Sequence, residues 1–104
     1  MKIAVTRWSS RVAPLFDTAR EILLVDIVAK KIVKRVEIEI SGIRPFSRAV
    51  FLHELGVEVL LCGGISEFIL RQLHALNIEV VPWAFGDVEG VINAYLRGLS
   101  AVKK

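Results

Sequence analysis

Cys62-Gly63-Gly64 places one thiol and two peptide units without side chains at the end of a short apolar run, residues 57–61. A thiolate there is a soft ligand for iron, copper or molybdenum. The N–H groups of a Gly-Gly turn that opens a helix can hold an anion. Each feature also has a plain structural use. A cysteine closing a buried strand is commonly a small core residue, and paired glycines permit a tight strand-to-helix turn. Arg7, Arg11, Arg20, Arg44 and Arg48 all fall in the first half of the chain, mostly in loops or helix starts. They suit either a positive rim around an anion or an ordinary solvated surface. Trp8 and Trp83 stand at expected strand ends, where they wall a pocket against water or cap the core.

Other chemistries find little material. One cysteine and two histidines, His53 and His74, exclude a disulfide framework and any all-cysteine metal site within one chain. Both histidines read as surface or boundary residues. Asp17, Asp26 and Asp87 invite a magnesium nuclease reading, but Asp87 is better placed as a helix cap and nothing gathers the three. There is no Ser/His/Asp or Cys/His pattern, no P-loop and no GxGxxG, so no catalytic residue is assigned and an enzyme is not expected. A net charge of +3 without a continuous basic helix does not point to nucleic acid. No apolar run is long enough to cross a bilayer and the opening residues read as a strand, so the expected location is the cytoplasm.

The elements that position these residues follow from periodicity. At 104 residues and 54% hydrophobic, the chain is expected to be one domain, 1–104. Strands are expected at residues 1–5, running out at Thr6-Arg7-Trp8, and at 21–28, 32–40, 57–62 and 78–81. Ser9 to Arg20 reads as a long loop. In the third strand Val36, Ile38 and Ile40 face one way and Arg35, Glu37 and Glu39 the other, as at an antiparallel edge with one wet face. Helices are expected from Phe46 or Ser47 to Gly56, from Ile65 to Leu76 with Ser66 as cap, and from Val88 to Leu99 with Asp87 as cap. Lys103-Lys104 reads as a solvated tail. The resulting α/β architecture is a five-stranded mixed sheet. Numbering expected strands in chain order, they lie 3-2-1-4-5 with helices on both faces and right-handed crossovers. The first and fourth strands then flank a switch point, the usual seat of a ligand in such sheets. Thr6-Arg7-Trp8 and Cys62-Gly63-Gly64 end there.

The opening MKIAVT, the loop SRVAPLFDTA, the strand EILLVD, the turn LLCGGI and the strand NIEVV follow in an order that resembles the dinitrogenase iron-molybdenum cofactor biosynthesis family, over about Met1 to Leu99. The resemblance implies a ribonuclease-H-like fold. It also implies binding or carriage of the iron-molybdenum cofactor, its iron-sulfur precursor or a molybdenum-copper sulfide cluster, with a cofactor-assembly protein as partner. Two departures stand out. Phe16-Asp17-Thr18 replaces the family's Phe-Gly followed by a basic residue. The loop before the first helix is SGIRPFSR, without the family's histidine, and Arg44 and Arg48 stand in its place. Such a site favours electrostatic capture over ligation.

The sequence thus leads to a carrier of an anionic metal-sulfur cluster, in a crevice lined by Arg7, Trp8, Arg11, Arg44, Arg48, Gly63 and Gly64, with Cys62 as a candidate metal ligand. The alternative is a metal-free interaction module of the same fold, docking through the Glu37/Glu39 strand or the loop carrying Trp83 and Phe85. A phosphate or oxyanion site would use the same arginines without Cys62.

Overall fold

A computed structural model describes the backbone of residues 1–102 and the side chains of residues 1–98. The elements in order are β1 (Lys2–Trp8), β2 (Arg11–Val12), β3 (Glu21–Val28), β4 (Lys31–Glu39), α1 (Pro45–Glu54), β5 (Val59–Leu61), α2 (Glu67–Ala75), β6 (Glu79–Val81) and α3 (Val88–Val102). The expectations for the Leu99 side chain and for Lys103-Lys104 lie outside the described residues.

The sheet runs β4-β3-β1-β5-β6, with β1, β5 and β6 parallel and the β1-β3-β4 side antiparallel. This is the order expected from the sequence, but the sheet has six strands, not five. The sixth, β2, hides in what reads as loop. Ser9, at φ 59°, turns the chain so that Arg11 and Val12 pair back onto Trp8 and Arg7. Two residues carry no period of their own, which is why the pattern does not show them.

Alternation along the central strands sends side chains to two cores. Ala4, Ile22, Leu24 and Leu60 face α1 and α2 and meet Ala49, Leu52, Ile69 and Leu73. Ile3, Val5, Leu23, Val25, Val59 and Leu61 face α3 and meet Val88 and Ile92. β3, β1 and β5 are therefore apolar on both faces. β4, at the edge, keeps most of its residues exposed.

The punctuation follows local chemistry. The β3–β4 hairpin turns on Ala29 (φ 52°) and Lys30 (φ 65°), a left-handed pair usually given to Asn-Gly. Asn77 (φ 61°) closes α2 as expected, and Gly56 (φ 81°) follows α1. Asp87 caps α3 by accepting from the Gly90 N–H at 3.0 Å. Ser66 does not cap α2 with its side chain. Its Oγ is buried without a partner.

Candidate functional site

The carboxyl ends of β1 and β5, the start of β3 and the first turns of α1 and α2 lie on one end of the molecule. Two hollows open there, separated by the segment Pro14–Ala19. That segment is fixed by Phe16, fully buried, whose N–H donates to the Gly64 carbonyl at 2.8 Å.

The first hollow is the switch-point crevice, about 380 Å³, lined by Trp8, Arg11, Pro14, Gly63, Gly64 and Trp83 among others. Its floor is tightly packed. A Cβ on Gly63 would lie 2.4 Å from the Pro14 carbonyl oxygen and 2.6 Å from that of Ala13. Gly63 is there because another backbone crosses it. The Gly64 N–H already donates to the Pro14 carbonyl at 2.7 Å, so that donor is engaged within the chain. Trp8 and Trp83 are 69% and 73% exposed and flank the opening, so neither caps the core. Trp83 has φ 64°, a conformation a bulky residue rarely adopts. Cys62 lies beneath, fully buried. Burial first, and the charge of Asp17 second, push its thiol up to about 12. Without a metal it is held as a thiol at neutral pH.

The mouth of α2 beside this crevice also holds an anion of its own. Asp17 Oδ1 accepts from the Ser66 N–H at 3.2 Å, and Glu67 occupies the first turn. Both are negative charges where the helix dipole favours them. The residue that departs from the family pattern thus fills the helix mouth that the Gly-Gly turn advertises.

The second hollow, about 510 Å³, is lined by Asp17, Thr18, Ala19, Arg20, Ser41, Gly42, Ile43, Arg44, Pro45 and Arg48. It opens at the first turn of α1. That turn has Pro45 at its start, Arg44 at the cap position, no side-chain cap bond and no acidic residue. Arg20 and Arg44 are exposed and make no ion pair among the described residues. Arg48 is the fixed point. Only 4% exposed, it donates from Nε to the Ile43 carbonyl (2.9 Å), from Nη1 to Phe16 (2.7 Å) and from Nη2 to Ile40 (3.0 Å). It also sits 6.0 Å from the Phe16 ring centroid. Burial lowers its pKa and the nearby Asp17 charge partly opposes that. Its three partners are neutral carbonyls, so the hydrogen bonds satisfy donors without cancelling the charge.

The residues singled out in the sequence therefore separate. Trp8, Arg11, Gly63 and Gly64 share the crevice, with Cys62 under its floor. Arg44 and Arg48 stand in the other hollow, where Arg20 and Ser41 join them. Arg7 reaches neither: its Nε meets Glu21 at 3.0 Å and its Nη2 meets Glu37 at 2.9 Å. Arg20 appears in the sequence only as part of the basic rim. The signal for its role is its place just before β3, opposite Ile40, whose N–H donates to the Arg20 carbonyl at 2.8 Å. Among the described residues no group of three His, Cys, Asp or Glu side chains comes together as a metal site.

The fold is a small, open, mixed α/β sheet, and this chain adds a basic hollow at the mouth of α1. The chain belongs to the dinitrogenase iron-molybdenum cofactor family, whose model matches residues 1–98. Solved structures share the fold. PH0822 superposes with a TM-score of 0.89 at 23% identity, covering 94% of this chain and 90% of that one. MJ0327 of Methanocaldococcus jannaschii gives 0.79 at 22% identity, over 94% and 89%. The apo form of the orange protein from Desulfovibrio gigas gives 0.76 at 25% identity, over 93% and 88%. No curated protein matches the chain.

Proposed function

We propose that this chain is a non-catalytic carrier of an anionic metal-sulfur cluster. The cargo is the iron-molybdenum cofactor, its iron-sulfur precursor or a molybdenum-copper sulfide cluster, exchanged with a cofactor-assembly protein. The family supplies the cargo class. The observation that carries the reading is the second hollow: three arginines and an uncapped helix start surround one cavity, and one carboxylate, Asp17, faces them. Arg48 contributes a charge held in place by its carbonyls. Arg20 and Arg44 are free to close on the cargo. The seat inferred is this hollow and not the Gly63-Gly64 crevice, whose Gly64 N–H is engaged. Capture is ionic and hydrogen-bonded, since Cys62 is fully buried and does not line this hollow. The ribonuclease-H-like description of the sheet rests on the same resemblance.

The test is anaerobic incubation of the apo-protein with tetrathiomolybdate plus copper, and separately with iron-molybdenum cofactor. Gel filtration and metal analysis of the protein peak follow. The carrier reading predicts stoichiometric metal and a visible absorption band in at least one sample. A metal-free peak in both overturns it.

A second reading, the metal-free interaction module, has one specific observation in its favour. Trp83 and Phe85, 73% and 84% exposed, border an apolar groove of about 570 Å³ between β6 and α3. Exposed aromatics beside an apolar groove are the usual marks of a docking surface. A metal-free peak together with capture by an assembly protein would favour it.

A further inference from the structure

The β4 edge is a nine-residue strand whose substantial packing, among the described residues, is against β3 alone. Which of its main-chain groups are free follows from one hydrogen bond. The Ile40 N–H donates to Arg20, and the register continues as Glu21↔Glu39, Ile22↔Ile38, Leu23↔Glu37, Leu24↔Val36. Antiparallel ladders alternate hydrogen-bonded and non-bonded pairs. Ile40, Ile38, Val36 and Lys34 therefore turn their N–H and C=O groups toward β3. Glu39, Glu37 and Arg35 turn theirs outward, away from the sheet. A strand this long with free outward groups is a template for another strand.

The charges on the edge choose the partner. Lys31, Lys34 and Arg35 occupy its first half, and Glu37 and Glu39 its end. Lysines and bulges commonly protect an edge, and β4 confines both to its first half, with Lys31, Lys34 and a register shift opposite Asp26 and Ile27. On this edge the sign reverses along the strand, so its own sequence, run antiparallel, complements it. We propose that β4 pairs with β4 of a second copy about a two-fold axis through Val36, joining two sheets into one.

The register is specified by charge. With Val36 facing Val36 of the second copy, Arg35 lies opposite Glu37 of that copy, and the same pair recurs on the other side of the axis. Each such pair turns outward and exchanges two main-chain hydrogen bonds. Sliding one way by the next allowed step sets Arg35 against Arg35, and sliding the other way sets Glu37 against Glu37. Like charges directly opposite are destabilising; the Glu37 register also sets Arg35 against Glu39, but only the Val36 register forms its charge pairs with no like-charge contact. Each half of the contact is already ordered in the single chain. Glu37 is held by Arg7 at 2.9 Å, and Arg35 by Glu89 on α3. Pairing links these into two four-residue charge chains, Arg7–Glu37–Arg35–Glu89, each crossing the interface. Val36, 37% exposed, gains cover at the axis. The two-fold makes the contact closed, so it gives a dimer and not a fibre.

The test is sedimentation equilibrium on the intact chain at concentrations up to roughly 100 µM, with far-ultraviolet circular dichroism to check folding. The expected wild-type state is a dimer. Arg35→Glu and Glu37→Arg should each weaken it by at least about tenfold, and the double charge swap should restore it to within about threefold. Val36→Lys, which leaves all four ion-pairing residues in place, should weaken it as much by facing two like charges across the axis. A wild-type monomer throughout that range overturns the proposal. So does a dimer that the single changes leave intact, or one that the double swap fails to recover.

Discussion

Two helix mouths lie side by side on this molecule, and they have opposite electrostatic contents. The first turn of α2 faces Asp17 and carries Glu67. The first turn of α1 has no acidic residue and no side-chain cap, and Arg20, Arg44 and Arg48 line its hollow. The Gly-Gly turn makes the α2 mouth the more conspicuous in sequence, yet that mouth is already served by negative charge from the chain itself. The difference teaches that an anion site is defined by uncompensated positive charge, not by the presence of a turn and a helix dipole. Asp17 links the two. It lies close to both Arg48 and Cys62, so one carboxylate tempers the basic hollow and adds to the effect of burial in raising the Cys62 pKa.

The sharpest way to break the comparison is to remove the fixed charge of the α1 mouth. Arg48→Met strands three carbonyls and unties Ile40, Ile43 and Phe16. It should cost about 3–5 kcal/mol in denaturant melts. A loss under about 1 kcal/mol would mean the guanidinium is not the clamp described.

On the crevice side, Gly63→Ala places a methyl group 2.4 Å from the Pro14 carbonyl oxygen. The expected loss is about 1–3 kcal/mol, since backbone rather than a flexible side-chain end must move. A neutral change would show that the Ala13–Pro14 segment does not cross the turn as closely as described.

Asp17→Asn addresses the link. It removes the negative charge from the α2 mouth at a cost of about 1 kcal/mol or less, and it should lower the Cys62 pKa. Thiol alkylation rate against pH reports the second effect. An unshifted profile would separate Asp17 from the thiol.

Cys62 supplies the smallest effect near neutrality and a pH dependence with a definite sign. Its folded pKa of about 12 lies above the free value of 9.0. Below 9 the thiol is protonated in both states and its contribution is fully present. As pH rises from about 9 toward 12 the unfolded chain loses its proton first, and stability falls. Cys62→Ala should flatten that part of the stability–pH curve and leave cargo binding unchanged. Binding lost in this variant would restore the thiol as a ligand.

Much of the fold is legible in the sequence because its signals are local. The run Glu21–Val28 appears as read, Asn77 and Asp87 take the expected end positions, and short connections limit the ways the strands can be ordered. What the sequence hides is long-range pairing. Arg7 looks as available as Arg11 until the fold brings Glu21 and Glu37 to it, 14 and 30 positions away. Arg48 sits in an amphipathic pattern that gives no hint of three distant carbonyls. Asp17 is visible as a departure from the family, but its destination at Ser66 depends on how the Pro14–Ala19 segment crosses Gly63.

The most direct test of the seat is an anaerobic absorbance titration with tetrathiomolybdate plus copper, run in parallel on wild type, Arg20→Gln/Arg44→Gln and Arg11→Gln. Both altered hollow residues are exposed, so the fold should be preserved. The double variant should bind at least about tenfold more weakly. Its affinity should also depend less on salt, while Arg11→Gln stays close to wild type. Binding that survives the double change and is lost with Arg11→Gln would overturn this seat and move the cargo to the Gly63-Gly64 crevice.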